Sequence, residues 1–203
     1  MNEGLYAIGL CAVAVNAATG VLEAGRKPID LFGMVVVALA AALGGGTLRD
    51  LLLDRPVFWI VDPSYLWAAV AAGLTTFVLV RRLRLPLNLF LIPDALGLAL
   101  FTVLGTQIAL GMGADGFVAS VMGVITGVFG GVLRDVLCNE VPLVFGGELY
   151  ATAAWAGALL LVALNHFGVA PNASAALAIA AVLALRLAAI RWRIRLPIFV
   201  ARR

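Results

Sequence analysis

Long apolar segments, separated by short polar or proline- and glycine-rich breaks, dominate the chain. A membrane-spanning helix needs about 20 mostly apolar residues, and on that scale the chain divides into seven helices. These predicted helices cover residues 4–25, 31–53, 64–82, 88–111, 116–138, 148–167 and 173–192. Because no break is long enough to hold a soluble domain, the pattern predicts an all-α integral membrane protein with a single transmembrane domain over residues 1–203.

The composition agrees with this class of protein. Hydrophobic residues make up 64% of the chain and charged residues 12%, whereas an ordinary soluble domain is about 25% charged. The net charge of +3 comes from basic residues that cluster in the loops, which is typical of membrane topology rather than of nucleic-acid binding. Cys11 and Cys138 fall inside apolar segments, so they indicate neither a disulfide framework nor a metal site.

The basic residues also predict an orientation. They concentrate in the first connection, the third connection and the C-terminal tail, with Arg55 in the second connection as the exception. Cytoplasmic loops are enriched in Lys and Arg, so we expect the N-terminus outside and the C-terminus in the cytoplasm. The aromatic residues Tyr65, Trp67, Tyr150 and Trp192 lie near predicted span ends, as interface anchors do.

The chain contains an internal repeat. A shift of 85 residues aligns Gly45-Gly46 with Gly130-Gly131 and Leu48-Arg49-Asp50 with Leu133-Arg134-Asp135. The match covers the first three helices, about residues 4–82, against the next three, about residues 88–167. Because each unit has three helices, the second must enter the membrane from the opposite side. This predicts an inverted 3+3 repeat followed by a seventh helix; many transport proteins are built from such repeats, although a duplication can also be kept for packing alone.

One phrase occurs in both units, late in a long apolar segment. Gly44-Gly45-Gly46-Thr47-Leu48-Arg49-Asp50 returns as Phe129-Gly130-Gly131-Val132-Leu133-Arg134-Asp135. Each glycine costs a helix about 1 kcal/mol against alanine, and backbone groups freed by a break need a partner such as an ion. A charge within a membrane is also a functional hypothesis. We therefore interpret the two phrases as the ends of a polar pathway through broken helices; the alternative is that the glycines only permit close helix packing.

Asp94 is a further candidate, because it follows Pro93 in the fourth helix and is surrounded by apolar residues. We consider Asp94 a candidate for the pore lining. Its repeat counterpart is Gly9, so any such role is asymmetric. The chain shows no metal-ligand spacing, no Walker-type glycine loop and no Ser/His/Asp set. An enzyme is therefore the weakest class, and we expect no cofactor.

The doubled phrase resembles the prokaryotic trimeric intracellular cation (TRIC) channel family, and the resemblance covers nearly the whole chain. Further matching segments are Pro56-Val57-Phe58-Trp59, Asp94-Ala95-Leu96-Gly97 and Glu148-Leu149-Tyr150-Ala151-Thr152-Ala153. The resemblance implies a homotrimer in the cell (inner) membrane of a prokaryote. It also implies a pore through each protomer, between second and fifth helices that kink at the glycines, and the passage of monovalent cations, chiefly potassium.

Two departures from the family pattern bear on these implications. Phe129 stands where many relatives have a third glycine, so we expect the cytoplasmic half of the path to be stiffer or partly plugged and to hold the tighter gate. Gly9 stands where many relatives carry an acidic residue that pairs with the one in the fourth helix. The basic lipid-binding motif of animal members is not evident, so their phosphoinositide control is not carried over.

The leading hypothesis is a passive potassium channel whose partners are other copies of the chain and membrane lipids. The expected pore and gating residues are Gly44, Gly45, Gly46, Arg49, Asp50, Asp94, Phe129, Gly130, Gly131, Arg134 and Asp135. We expect each arginine to pair with an acidic neighbour or to act in gating rather than in selection. The alternatives are a secondary transporter of a small amino acid such as glycine, and a non-conducting scaffold.

Overall fold

The computed structural model describes residues 3–83 and 89–197, and these residues form an all-helical protein. The helices are α1 (Glu3–Ala24), α2 (Leu31–Leu52), α3 (Phe58–Val61), α4 (Ser64–Arg82), α5 (Leu91–Gly111), α6 (Gly116–Leu137), α7 (Ala151–His166) and α8 (Pro171–Trp192). A single 3₁₀ turn, Leu143–Phe145, lies between α6 and α7. The predicted helix start at residue 88 and the basic residues Arg84, Arg202 and Arg203 lie outside the described residues.

Each of the seven predicted apolar helices is present. Six of them, all except α7, are long and apolar enough to cross a membrane. The seventh, α7, is apolar but has only 16 residues. It begins at Ala151 rather than at residue 148 because Glu148 is held outside the helix, where it pairs with Arg195 in an isolated β-bridge.

The helices α2 and α6 begin in the same way. Asp30 caps α2 by accepting a hydrogen bond from the Gly33 amide at 2.7 Å, and Asp115 caps α6 by accepting one from the Phe117 amide at 2.8 Å. A side-chain oxygen at this position satisfies an amide that has no partner within the helix. The sequence repeat is therefore also a repeat of local structure.

The two helices also end alike. The Leu53 amide donates to the Arg49 carbonyl, and the Cys138 amide donates to the Arg134 carbonyl, both at 3.0 Å. The next residues, Asp54 and Asn139, take left-handed backbone conformations with φ of 50° and 53°. Asp and Asn adopt this conformation more readily than most other non-glycine residues do. The chain therefore turns sharply after each helix, towards α3 after α2 and towards the 3₁₀ turn after α6.

Small residues allow the helices to pack closely. α5 lies at the centre, with the largest buried share of the six long helices; it packs on α1, α6, α7 and α8, while α2 packs on α1, α4 and α6. The buried core is rich in alanine, including Ala12, Ala17, Ala38, Ala99, Ala119 and Ala158. Close packing through small residues is the usual way in which membrane helices associate.

Large apolar side chains cover much of the outside. Exposed examples are Phe32, Leu51, Phe117, Val118, Leu159 and Leu177. In water such a surface would be unfavourable, whereas lipid chains are as apolar as these side chains. The exposed surface therefore agrees with a multi-pass membrane protein.

Candidate functional site

The glycines of the doubled phrase lie where α2 and α6 cross. A Cβ atom added to Gly45 would meet the Thr126 carbonyl oxygen, and one added to Gly130 would meet the Ala41 carbonyl oxygen. Both helices are continuous through these glycines. The prediction of broken helices with freed carbonyl groups is therefore wrong, because close contact between the two backbones explains the absence of side chains.

The remaining glycines of the phrase each accommodate a different neighbour. A Cβ on Gly44 would meet Leu133, one on Gly46 would meet the Phe58 ring at 2.5 Å, and one on Gly131 would approach the Tyr150 hydroxyl at 3.1 Å. The glycines thus set the separation between α2, α6 and the segments that follow them.

Phe129, which replaces the third glycine of the second copy, is half-buried. It lines an apolar cleft together with Leu39, Gly44 and Leu133. Its predicted role as a plug or gate stays a prediction.

A fully buried charge cluster, which we call the Arg134 cluster, is formed by four residues of the second half and one of α1: Arg134, Asp94, Asp135, Tyr150 and Thr19. Arg134 Nη1 donates to Asp94 Oδ1 at 2.6 Å and to Thr19 Oγ1 at 3.2 Å, and its Nε donates to Asp135 Oδ1 at 2.8 Å. The Tyr150 hydroxyl donates to the same oxygen of Asp94 at 3.4 Å. Two carboxylates therefore face one guanidinium in surroundings with little access to water.

Contacts with the backbone and with an aromatic ring hold this cluster in place. The second oxygen of Asp135, Oδ2, accepts a hydrogen bond from the Leu143 amide of the 3₁₀ turn at 3.0 Å. The Arg134 guanidinium carbon lies 5.2 Å from the centre of the Phe90 ring, within the range of a cation–π interaction. The 3₁₀ turn, α5 and α6 are therefore linked through one buried arginine.

The first half holds the equivalent Arg49 cluster, which consists of Arg49, Asp50, Phe58 and Arg55. Arg49 contacts Asp50 Oδ1 through Nε at 2.9 Å and Nη2 at 2.8 Å. Asp50 Oδ2 accepts a hydrogen bond from the Phe58 amide at 2.9 Å, and Arg55 Nε lies 3.4 Å from Oδ1. The prediction that each arginine of the phrase pairs with an acidic neighbour is confirmed.

The two clusters differ in the acid that faces the arginine. Where the second half has Asp94, the first half has Gly9, and Arg49 Nη1 has no hydrogen-bond partner among the described residues. A cavity of about 310 Å³ lies beside it, and its lining includes Gly9, Arg49, Tyr65 and Asp62. The asymmetry expected from the sequence thus has a structural consequence.

The structure brings together residues whose roles the sequence reading missed. Tyr65 and Tyr150 were expected at the membrane interface, yet they are only 4% and 3% exposed, whereas Trp67 and Trp192 are 71% and 69% exposed. The interface role is therefore wrong for the two tyrosines, because each packs beside a buried arginine cluster. Their alignment with each other across the repeat was the signal that could have found them.

Arg186 of α8 is a further residue whose role the sequence reading missed. It is fully buried, its Nη1 donates to the Leu149 carbonyl oxygen at 2.9 Å, and its guanidinium carbon lies 4.7 Å from the centre of the Tyr150 ring. A lone charge within an apolar run was the available signal. Arg186 thereby links α8 to the residue that contacts Asp94.

Two carboxylates outside the spans have pKa values below their usual range. Lys27 Nζ lies 2.7 Å from Glu140 Oε1, and this hydrogen bond and the lysine's charge lower the pKa of Glu140. The Ser64 hydroxyl and amide lower the pKa of Asp62 in the same way. Among the described residues, no group of three or more His, Cys, Asp or Glu side chains is arranged to hold a metal ion.

Comparisons with known proteins agree with this architecture. A family model described as "Glycine transporter" matches the chain twice, over residues 6–81 and 91–166. The UPF0126 inner membrane protein YadS of Escherichia coli (strain K12) is 42% identical over 198 residues, with 96% of each chain covered. The double match shows that the two halves are related to each other.

Solved structures extend the likeness to the fold. The TRIC trimeric intracellular cation channel orthologue from Rhodobacter sphaeroides is 36% identical, with a TM-score of 0.91 over 95% of this chain and 100% of that chain. A structure that describes the basis for conductance through TRIC cation channels is 31% identical, with a TM-score of 0.86 over 97% of each chain. Both proteins share the helical architecture described above.

Proposed function

The chain belongs to the prokaryotic trimeric intracellular cation (TRIC) channel family, and we propose that it is a passive channel for monovalent cations, chiefly potassium. The observation that carries the proposal is the buried Arg134 cluster, whose charged residues lie in α5 and α6 of a fold shared with proteins described as cation channels. Charges within a membrane are expensive to keep and mark ion pathways. A protein with a purely structural role has little reason to bury several of them.

The proposed path runs through each protomer of a homotrimer, between α2 and α6. The two related halves are inverted, since each contributes three predicted spans, and inverted repeats place pathways at the repeat interface. In this arrangement Arg49 and Asp50 lie towards the outer face, and Arg134 and Asp135 lie towards the cytoplasm. The basic loops support an outside N-terminus and a cytoplasmic C-terminus.

Cation preference would come from the Arg134 cluster. It has two carboxylates for one guanidinium, so its formal charge is negative, and a monovalent cation nearby would offset that charge. The arginine holds the carboxylates in place rather than selecting the ion. This gives the buried arginine a role that is compatible with a cation pore.

Conduction by this path requires a change at the crossing of α2 and α6. Gly45 and Gly130 hold the two backbones in contact, which leaves no room for an ion between them. We therefore propose that the contact opens when the channel conducts, by a small separation of α2 from α6. Gly45 and Gly130 make this separation inexpensive because they have no side chains that must disengage.

Reconstitution of the purified protein in planar bilayers tests the proposed channel. We expect unitary potassium currents in the wild type and an altered open probability in Arg134→Ala. Absence of unitary potassium currents at every voltage would refute the channel.

A second candidate is a secondary transporter of a small amino acid such as glycine. The observation that favours it is the description of the matching family model, and inverted repeats also suit alternating access. Saturable uptake of labelled glycine into proteoliposomes, without unitary currents, would favour this candidate over the channel.

A further inference from the structure

The difference between Gly9 and Asp94 leaves Arg49 without the carboxylate acceptor that Nη1 of Arg134 has. Arg134 Nη1 donates to Asp94 Oδ1 at 2.6 Å. At the equivalent place in the first half, Arg49 is 2% exposed and its Nη1 has no hydrogen-bond partner among the described residues. A buried guanidinium donor without an acceptor is unfavourable, so this position favours any acceptor that can reach it.

The space beside Arg49 is large enough for a small ligand. The cavity of about 310 Å³ is lined by Arg49 and Gly9, by the buried side chains of Phe101 and Leu104, and by Tyr65. Ligand sites in proteins range from about 300 to 1,000 Å³. The apolar walls strengthen any charge interaction made there, since they keep water away.

The cavity also reaches the surface. Arg55 and Asp62 are both half-buried, and both belong to its lining. They lie in the connection between α2 and α4, outside the long helices. A soluble molecule can therefore enter from the aqueous side without crossing the apolar core.

We propose that this cavity binds a small carboxylate, which contacts Arg49 and Tyr65 as the Asp94 side chain contacts Arg134 and Tyr150. The tyrosines correspond across the repeat, and the position of a Cβ on Gly9 lies 3.0 Å from the Tyr65 hydroxyl. Guanidinium groups and carboxylates form strong, directional hydrogen bonds. In the second half, the carboxylate is a side chain of the protein. In the first half, the ligand supplies it.

The charges around the cavity suit an anion. Arg49 and Arg55 share a single close carboxylate, that of Asp50. Asp62 also lines the cavity, and its Oδ1 is engaged by the Ser64 amide at 3.0 Å. Its other oxygen is a suitable acceptor for the ammonium group of an amino acid, so a zwitterion and a simple carboxylate are distinguishable ligands of the same site. The site does not depend on whether the protein conducts cations.

Thermal unfolding of the purified full-length protein in detergent tests the site, with acetate and glycine as probes at constant ionic strength. We expect a saturable rise in Tm with acetate, because a ligand that binds only the folded state stabilises it, and no such rise with chloride or methylamine. Tighter binding of glycine than of acetate would assign Asp62 to the ammonium group, and equal binding would assign recognition to the carboxylate alone. A wild type without a saturable response to either carboxylate, or with an equal response to chloride, refutes the proposal.

Matched substitutions at residue 9 separate charge from size. Gly9→Asp places a tethered carboxylate beside Arg49, so we expect its apparent affinity for acetate to fall at least about tenfold and its Tm without ligand to rise. Gly9→Ala adds the same Cβ atom against Tyr65 without a carboxylate and should keep the acetate response. An unchanged affinity in Gly9→Asp, or an equal loss in both variants, contradicts the proposal.

The reverse change provides a test that does not depend on residue 9. Asp94→Gly makes the second half resemble the first and should lower the Tm. Acetate should restore part of that loss by occupying the space beside Arg134, whereas chloride should not. No difference between acetate and chloride in this variant counts against carboxylate recognition by either arginine.

Discussion

The two halves of the protein place the same arginine in two different surroundings. In the second half, Arg134 is fully buried between Asp94 and Asp135. In the first half, Asp50 is the one carboxylate among the described residues that pairs with Arg49, and a cavity takes the place of the other acid. The two halves keep the same Arg-Asp pair and the same helix ends, whereas the carboxylate of Asp94 has no counterpart at Gly9. The comparison therefore separates the contacts that the fold needs in both halves from those that belong to one site.

The largest expected effect is the loss of stability when Asp94 is removed, since this carboxylate has no counterpart in the first half. Asp94→Ala leaves Arg134 with one of its two carboxylates, and loss of a partner from a buried ion pair costs about 3–5 kcal/mol. Gly9→Ala at the equivalent position removes no charge and should change stability far less. Denaturant unfolding in detergent measures both variants; equal losses would show that the two surroundings do not differ energetically.

Substitutions at the crossing of α2 and α6 should lower the stability of the protein by similar amounts, whichever of the two helices carries them. Gly45→Ala and Gly130→Ala each direct a methyl group at a carbonyl oxygen of the other helix, and overpacking of this kind costs about 1–3 kcal/mol. Gly111→Ala is the matched control, because a Cβ there meets nothing within 4 Å. Tm values of the three variants provide the check. A loss at only one crossing glycine would break the symmetry of the crossing.

A smaller effect distinguishes the two tyrosines. Tyr150→Phe removes a hydrogen bond to Asp94 and should cost about 1 kcal/mol. The Tyr65 hydroxyl faces Gly9 and a cavity rather than a carboxylate. Tyr65→Phe should therefore change the protein's free energy of unfolding less than Tyr150→Phe does. Parallel denaturant titrations compare them. A larger loss for Tyr65→Phe than for Tyr150→Phe would contradict the assigned difference.

The smallest effect concerns the ion pair between Glu140 and Lys27, which lies outside the spans. The repeat aligns Glu140 with Arg55 of the first half. The pKa of Glu140 is depressed by Lys27, so the ion pair stabilises the folded state above the ordinary pKa of a glutamate. This contribution is lost as the pH falls through the depressed value, and it is small because both groups are partly exposed. The Tm difference between wild type and Glu140→Gln should therefore shrink from pH 7 towards pH 3; a constant difference would show that the pair contributes nothing.

The sequence predicts the helices well and the site only in outline. Apolar length sets the spans, and residues 64–82 match α4 at both ends. The partners of Arg134 come from three helices and a turn, so contacts such as Thr19 with Arg134 cannot be read from spacing along the chain. The glycines were open to two interpretations because helix breaking and close crossing leave the same residues in the sequence, and the contacts of Gly45 and Gly130 favour the crossing.

The most direct test of the proposed cation channel is the reversal potential of single-channel currents across a bilayer with a potassium chloride gradient. The account predicts unitary currents that reverse near the potassium equilibrium potential, and a shift towards the chloride equilibrium potential in Asp94→Asn, where one negative charge of the Arg134 cluster is removed. Reversal near the chloride potential in the wild type, or no unitary current at any voltage, would contradict it.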